Sequence, residues 1–315
     1  MKRIAVLTSG GDCSGMNAAI RAVVRTAMAR GIEVVGIQKG YRGLIDRQYE
    51  VLGTRSVSNT LQRGGTFLQS ARCKEMMTEA GQAVAVSTLS GLGVEGLVVI
   101  GGDGSLRGAR VLDQKGIPTI GIAASIDNDI AGTDMSLGVD TALNNIVYAV
   151  NCLKDTASSH DRAFVVETMG RTSGALALHA GIAGGADLVL IPEIPFDYEE
   201  AGRTTVEGHR RGKLHTIVVV AEGVASGDEV ARRLGQYIPG MDIRVSVLGH
   251  IQRGGTPTGL DRVVASQFGA KAVDLLLDGM SDVMVARQGM SLTSVSLSYA
   301  CKHKPALIPV LYQLC

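Results

Sequence analysis

The sequence predicts an α/β protein built of doubly wound layers, and three observations carry that prediction. Short apolar runs alternate with helical patterns along the chain, the order that yields parallel sheets covered by helices. Within those runs polar residues rarely alternate with apolar ones, as expected of strands buried on both faces. Several runs end in glycines, hydroxyls and charged residues, and open parallel sheets bind ligands beyond the carboxyl ends of their strands. At 315 residues the chain suffices for about two domains.

Taken in order, Lys2 to Thr8 reads as an interior strand. It ends in Ser9-Gly10-Gly11-Asp12-Cys13-Ser14-Gly15, and a helix is expected from Ala18 to about Arg30, stopped by Gly31. Glu33 to Gln38 is the next strand, and Gly40 to Gly43 reads as a loop. Gln62-Arg63-Gly64-Gly65-Thr66 leads to Ser70-Ala71-Arg72-Cys73, and Gln252 to Thr256 echoes it. Two copies are too few for a repeat architecture. The apolar run Gly96 to Ile100 breaks into Gly101-Gly102-Asp103-Gly104-Ser105, with a helical pattern from Leu106. A further run, Pro118 to Ala123, ends at Ser125-Ile126-Asp127-Asn128-Asp129.

From Gly138 a helical pattern through Leu153 leads into a second domain. Strands are expected at Ala163 to Glu167, Ala186 to Ile191, Thr216 to Ala221 and Ile243 to Leu248. They end respectively at Met169-Gly170-Arg171, Pro192, Glu222-Gly223 and Gly249-His250-Ile251-Gln252-Arg253. Charge gathered just past strand ends points to a shared pocket. Lys302 to Cys315 carries no motif.

The chemistry centres on residues 98–129. Glycines admit an anion close to backbone N–H groups, and a helix N-terminus adds partial positive charge. Asp103 within such a loop repels phosphate unless a divalent cation lies between them. The loop therefore reads either as a Mg-nucleotide site or as a tight strand-to-helix turn with an N-capping Asp. Asp127 and Asp129 likewise share a cation or proton, or else sit in a solvated turn. Arg72 is a phosphate clamp or an ordinary surface arginine. No Walker loop occurs. The single G-x-G-x-x-G, Gly91 to Gly96, precedes a strand instead of following one, so it is no dinucleotide fingerprint.

Composition narrows the classes. Net charge is +1, against nucleic acid or an anionic membrane as main partner. Aromatics are 3% with no Trp, which disfavours base-stacking platforms. No apolar run is long enough to span a membrane, and the N-terminus lacks a signal-type apolar region. The five cysteines, Cys13, Cys73, Cys152, Cys301 and Cys315, lack C-x-x-C spacing and fit reduced thiols in a cytoplasm.

Together these residues resemble the bacterial ATP-dependent 6-phosphofructokinase family, from Met1 to about Gly279. The matching motifs are TSGGD at 8–12, GMNAAIR at 15–21, RGGT at 63–66, SAR at 70–72, GGDGS at 101–105 and IDND at 126–129. SSHDR at 158–162, MGR at 169–171, AEG at 221–223 and GHIQRGG at 249–255 complete the series. GGDG alone is weak, since lipid and NAD kinases carry something similar; the full order is specific.

The resemblance implies two Rossmann-like αβα domains with the active site in the cleft between them. Residues 1–138 and 252–302 would bind ATP; 139–251 and 303–315 would bind the sugar phosphate. It implies transfer of the ATP γ-phosphoryl group to the 1-hydroxyl of fructose 6-phosphate in glycolysis. Gly11, Tyr41, Arg72, Cys73, Gly102, Asp103, Gly104 and Ser105 match the ATP site, with Asp103 on Mg²⁺. Asp127 matches the general base, flanked by Ser125 and Asp129, with Arg171 the fourth catalytic match. Met169, Gly170, Arg171 and Glu222 match sugar-phosphate contacts, and His250 and Arg253 match 6-phosphate ligands. Arg162 and Arg244 match arginines lent across a subunit interface, so a homotetramer with shared active sites is implied. Arg21, Arg25, Arg55, Lys154, Gly185, Asp187, Arg211, Lys213 and His215 match an effector site for ADP as activator or phosphoenolpyruvate as inhibitor.

Departures stand beside the matches. Ala123-Ala124-Ser125 replaces Pro-Gly-Thr, Ser14 replaces a frequent Pro, Lys154 an Arg, Asp187 a Glu, and Thr54 a frequent Arg. Lysine loses bidentate phosphate contact, so a weakened effector response is expected; solvated helix charges are the plainer alternative. Pyrophosphate-using relatives carry Asp at the position of Gly104 and Lys at that of Ala124, so this chain is expected to use ATP. A pyrophosphate-dependent or other sugar-phosphate kinase is the alternative.

Overall fold

The computed structural model describes residues 1–160, 162–305 and 309–312. Asp161 of the 158–162 motif and Cys315 lie outside the described residues. The chain begins with β1 (Arg3–Ser9), α1 (Met16–Ala29), β2 (Glu33–Ile37), α2 (Tyr41–Asp46), β3 (Tyr49–Leu52), α3 (Glu79–Gly91), β4 (Gly96–Gly101), α4 (Asp103–Gln114) and β5 (Thr119–Ala123). It continues with α5 (Val139–His160), β6 (Arg162–Thr168), α6 (Ala175–Gly184), β7 (Leu188–Leu190), α7 (Tyr198–Arg210), β8 (His215–Ala221), α8 (Gly227–Leu234) and β9 (Asp242–Val247). Then come α9 (Gly259–Leu277), β10 (Val283–Gln288), β11 (Ser291–Ser296), α10 (Leu297–Lys302) and α11 (Pro309–Tyr312).

Two compact units result. The first comprises Met1–Ser125, Asp129–Asp140 and Arg253–Pro305; the second comprises Ile126–Asn128 and Thr141–Gln252, with α11. The first holds a seven-stranded sheet of order β11-β10-β5-β4-β1-β2-β3. Its five inner strands, β10 to β2 in that order, are mutually parallel. Ile4 to Leu7 on β1 and Leu97 to Ile100 on β4 are fully buried, as their unbroken apolar runs require. The second unit holds a parallel sheet of order β7-β8-β6-β9, with Val165, Val218 and Val220 in its core.

Both edges of the first sheet depart from the parallel pattern. β3 pairs antiparallel with β2, and β11 with β10. Neither edge strand is marked in the sequence, because Tyr49 to Val51 are exposed and four of the six residues of β11 are polar. A single buried face leaves too weak an alternation over so few residues.

The expected loop at Gly40 to Gly43 is largely helix α2. Gly43 is a packing residue there: a Cβ would overlap the carbonyl of Gln38. The two Arg-Gly-Gly turns also acquire a reason. Gly64 lies so close to the Gly255 carbonyl that no side chain fits between them. Asn17 donates to the carbonyls of Arg63 and Gly64, both at 3.1 Å, and accepts from the Phe67 N–H at 2.8 Å. Ser14, in place of the frequent Pro, donates to the Gly255 carbonyl at 2.8 Å. The echoed turns thus brace the loop after β1.

Candidate active site

In the first unit two strand ends lie side by side. β1 and β4 are paired in register up to Ser9 and Gly101. The loop after β1 is tied by Ser70, whose Oγ donates to the Gly10 carbonyl at 2.6 Å. The guanidinium of Arg253 lies against Gly11, where a Cβ would have to push it aside. Arg253, grouped with His250 by the resemblance, therefore borders the first glycine loop.

At the end of β4 the helix starts earlier than its apolar pattern suggested, at Asp103 instead of Leu106. Gly102 occupies the N-cap, without a side-chain cap, and Asp103 sits in the first turn. The N-capping role for Asp103 is therefore not what the fold uses. Its carboxylate is instead gripped by Arg107 one turn on, Nε to Oδ1 and Nη2 to Oδ2 both at 3.0 Å. Gly104 is exposed, with open space where a Cβ would be, whereas Ser105 is buried. An anion thus has access to the backbone amides at the start of α4, where the helix dipole favours it.

Tyr41 lies beneath this loop. It is 6% exposed, its ring packs on Gly108, and its hydroxyl donates to the Ser105 carbonyl at 2.6 Å. Burial pushes its phenol pKa well up, so the hydroxyl stays protonated and donates. Arg72 is exposed and Cys73 half-buried. Burial is the leading cause that raises the Cys73 thiol pKa, which keeps it an unreactive thiol.

β5 delivers the segment after it to the same end of the sheet. Ala124 donates its N–H to the Gly101 carbonyl at 3.0 Å, and Ser125 Oγ donates to Asp129 Oδ1 at 3.1 Å. A Cβ on Gly102 would stand 3.8 Å from that of Ser125. Ala124 has no positive φ, so replacing the family's Gly there brings no backbone strain.

Within the second unit, Asp127 is 3% exposed and meets Arg171, Nε to Oδ2 at 3.3 Å. Arg171 is exposed and holds φ of 52°, a conformation side chains rarely adopt. Its neighbours impose that shape. Glu222 accepts the Arg171 N–H at 2.9 Å, and Gly223 presses on the Arg171 carbonyl where no Cβ would fit. Gly170, at φ of 142°, makes the turn. The Met169 N–H is bound by Oε1 of buried Gln252 at 3.2 Å, and Gln252 Nε2 donates to the Gly249 carbonyl at 3.0 Å. The strand ends carrying Met169-Gly170-Arg171, Glu222-Gly223 and Gly249-His250 are thereby locked together, with His250 exposed. Gln252 escaped the sequence reading as a linchpin. Its only signal was its place inside the GHIQRGG motif.

Arg162 and Arg244 share one carboxylate. Asp242 meets Arg162 Nε at 2.8 Å and Arg244 Nε at 3.0 Å. Among the residues matched to an effector site, Asp187 pairs with Lys213 and accepts the Ile217 N–H at 2.7 Å. A Cβ on Gly185 would lie 2.9 Å from Lys154 Nζ. His215 Nδ1 is 2.9 Å from Ser158 Oγ, and Arg211 pairs with Glu207. Arg21 is half-buried in the first unit, where Arg25 and Arg55 are exposed.

Among the described residues no group of three or more His, Cys, Asp or Glu converges as a closed metal cage. No described helix is long and apolar enough to cross a membrane.

Comparison with known proteins identifies the family. A family model described as phosphofructokinase matches residues 3–276. The ATP-dependent 6-phosphofructokinase of Thermotoga petrophila is 51% identical over 315 residues, covering 100% of this chain and 98% of the relative. That of Shouchella clausii is 55% identical over 288 residues, covering 91% and 90%. Among solved structures, phosphofructokinase from Saccharomyces cerevisiae superposes with a TM-score of 0.90 at 36% identity. That match covers 96% of this chain, which spans only 45% of the yeast chain.

Proposed function

The chain belongs to the phosphofructokinase family, and from that premise we propose that it transfers the γ-phosphoryl group of ATP to the 1-hydroxyl of fructose 6-phosphate. The observation that carries the mechanism is the buried Asp127 carboxylate held 3.3 Å from Arg171 in a conformationally forced turn. Phosphoryl transfer is mostly positioning and charge neutralisation. Asp127 accepts the proton of the sugar hydroxyl late in the transfer. Arg171, fixed by Glu222 and Gly223, is presented to the equatorial oxygens of the moving group. Ser125 and Asp129 flank this segment. The α4 amides, with Gly11, Arg72 and Cys73, receive the nucleotide.

Mg²⁺ suits this donor set. It takes one or two carboxylates and fills its octahedron with phosphates and water, so it needs no closed protein cage. Asp103 would hold it, with its carboxylate released from Arg107. The ion would supply charge neutralisation at the phosphates. Met169, Gly170, Glu222, His250, Arg253 and the arginines at 162 and 244 make up the sugar-phosphate side. Arg162 and Arg244 act in this reading across the interface of a homotetramer in the cytoplasm.

Tyr41 supports the nucleotide loop from below. Tyr41→Phe keeps the ring on Gly108 and loses the bond to Ser105, and one net hydrogen bond is about 1 kcal/mol. The Michaelis constant for ATP should rise several-fold while that for fructose 6-phosphate stays put. A shift confined to the sugar phosphate would refute the supporting role.

The proposal as a whole is tested with purified protein and a coupled assay of ADP release. ATP with fructose 6-phosphate should turn over, and pyrophosphate should serve poorly, because Gly104 leaves the α-phosphate room that an Asp would take. A preference for pyrophosphate would overturn the donor assignment. In the same assay ADP should shift the fructose 6-phosphate curve to lower concentration and phosphoenolpyruvate to higher. Curves indifferent to both would make the effector cluster ordinary surface charge.

A further inference from the structure

Asp242 has no role in the functional reading above, yet it occupies the two arginines on which the sugar-phosphate site depends. Arg162 and Asp242 are register partners on the neighbouring strands β6 and β9. Aligned residues of paired strands share a face, and residues two apart along a strand share it too. Arg162, Asp242 and Arg244 therefore project from one face at the edge of this sheet. Two ion pairs meet at Asp242: Arg162 Nε to Oδ2 at 2.8 Å, and Arg244 Nε to Oδ1 and Nη2 to Oδ2, both at 3.0 Å. Both oxygens of one carboxylate are engaged by two guanidinium groups. A phosphate group would present the same arrangement of acceptor oxygens to the same donors.

We propose that Asp242 is an internal phosphate mimic, a carboxylate that occupies Arg162 and Arg244 until a sugar phosphate displaces it and so sets the affinity for that substrate. This rests on the reading that Arg162 and Arg244 take the sugar phosphate. Asp242 touches no reacting atom; it acts through the arginines. A ligand whose site is competent only part of the time binds with its affinity reduced by that fraction. The competing carboxylate imposes such a reduction. It also relieves the mutual repulsion of two cations on neighbouring strands when no ligand is there. Inorganic phosphate bears the same reduction without the further contacts by which the substrate offsets it.

The side chains are partly exposed, 30% for Arg162, 42% for Asp242 and 57% for Arg244, so solvent screens each pair. An exposed pair of this kind changes an equilibrium by up to roughly fivefold. Releasing both arginines should therefore tighten the sugar phosphate by roughly three- to tenfold.

The test is Asp242→Asn in the full-length protein. It keeps size and shape and removes the charge. The dissociation constant for fructose 6-phosphate, measured calorimetrically without nucleotide, and its Michaelis constant should both fall by that factor. kcat and the Michaelis constant for ATP should stay near their original values, and inorganic phosphate should become a stronger competitive inhibitor. A constant that is unchanged or raised overturns the proposal, since Asp242 would then merely orient the arginines. Asp242→Ser serves as a second variant should Asn impair folding. Arg244→Ala separates the two levels. If it fails to weaken fructose 6-phosphate binding, the underlying site reading is wrong. If it weakens binding while Asp242→Asn does not strengthen it, only the mimicry fails. In the double variant most of the gain from Asp242→Asn should disappear.

Discussion

Asp127→Ser should lower kcat by about 10²–10⁴-fold, the usual worth of a positioned general base. The Michaelis constant for fructose 6-phosphate should change far less, because the base acts on the hydroxyl proton in the transition state. Serine leaves a small polar group but no proton acceptor of comparable strength. Loss of activity through unfolding is not expected. Asp127 is 3% exposed, and burying a carboxylate is costly. Arg171, one of its partners, is 65% exposed and finds water once the carboxylate is gone. The melting temperature of the variant should therefore equal or exceed that of the parent. Steady-state kinetics with both substrates, alongside a thermal melt, checks this. Near-full kcat would remove Asp127 from the role.

Arg171→Ala should lower kcat by roughly 10²–10³-fold, the range seen when one preorganised donor to a developing charge is removed. The turn itself should persist, since its shape is imposed by Gly170, Gly223 and the Glu222 carboxylate on the Arg171 N–H. Arg171→Lys should recover only part of the loss, because an ammonium lacks the planar fork that spans two oxygens. Single-turnover rates at saturating substrates distinguish this from weak binding. If saturating fructose 6-phosphate restores the full rate in Arg171→Ala, the residue binds ground state and transition state alike and its catalytic role is lost.

Asp127 and Arg171 follow short apolar strands and sit in glycine- or Asp-rich turns, so the chain marks them locally. Their association, 44 positions of chain apart by number (171 − 127), carries no local mark. The same holds for the pressure of Gly223 on Arg171, and for Gln252, whose amide ties Met169 to Gly249. Asp242 is further still from any recognisable pattern. In sequence it is an ordinary acidic residue at the start of a strand.

The amino-acid order alone was enough for the layered α/β class, the glycine loops after Thr8 and Ile100 and the acidic turn after Ala124. These features depend on period, turn chemistry and strand-end position, all of which act over a few residues. Folding settled what required distant chain segments to meet. The two Arg-Gly-Gly turns stacked through Gly64 and Gly255, the Tyr41 hydroxyl met the Ser105 carbonyl, and Gln252 took the Met169 N–H. Close packing and ion pairing are short-ranged in space but indifferent to separation along the chain, so no local pattern announces them.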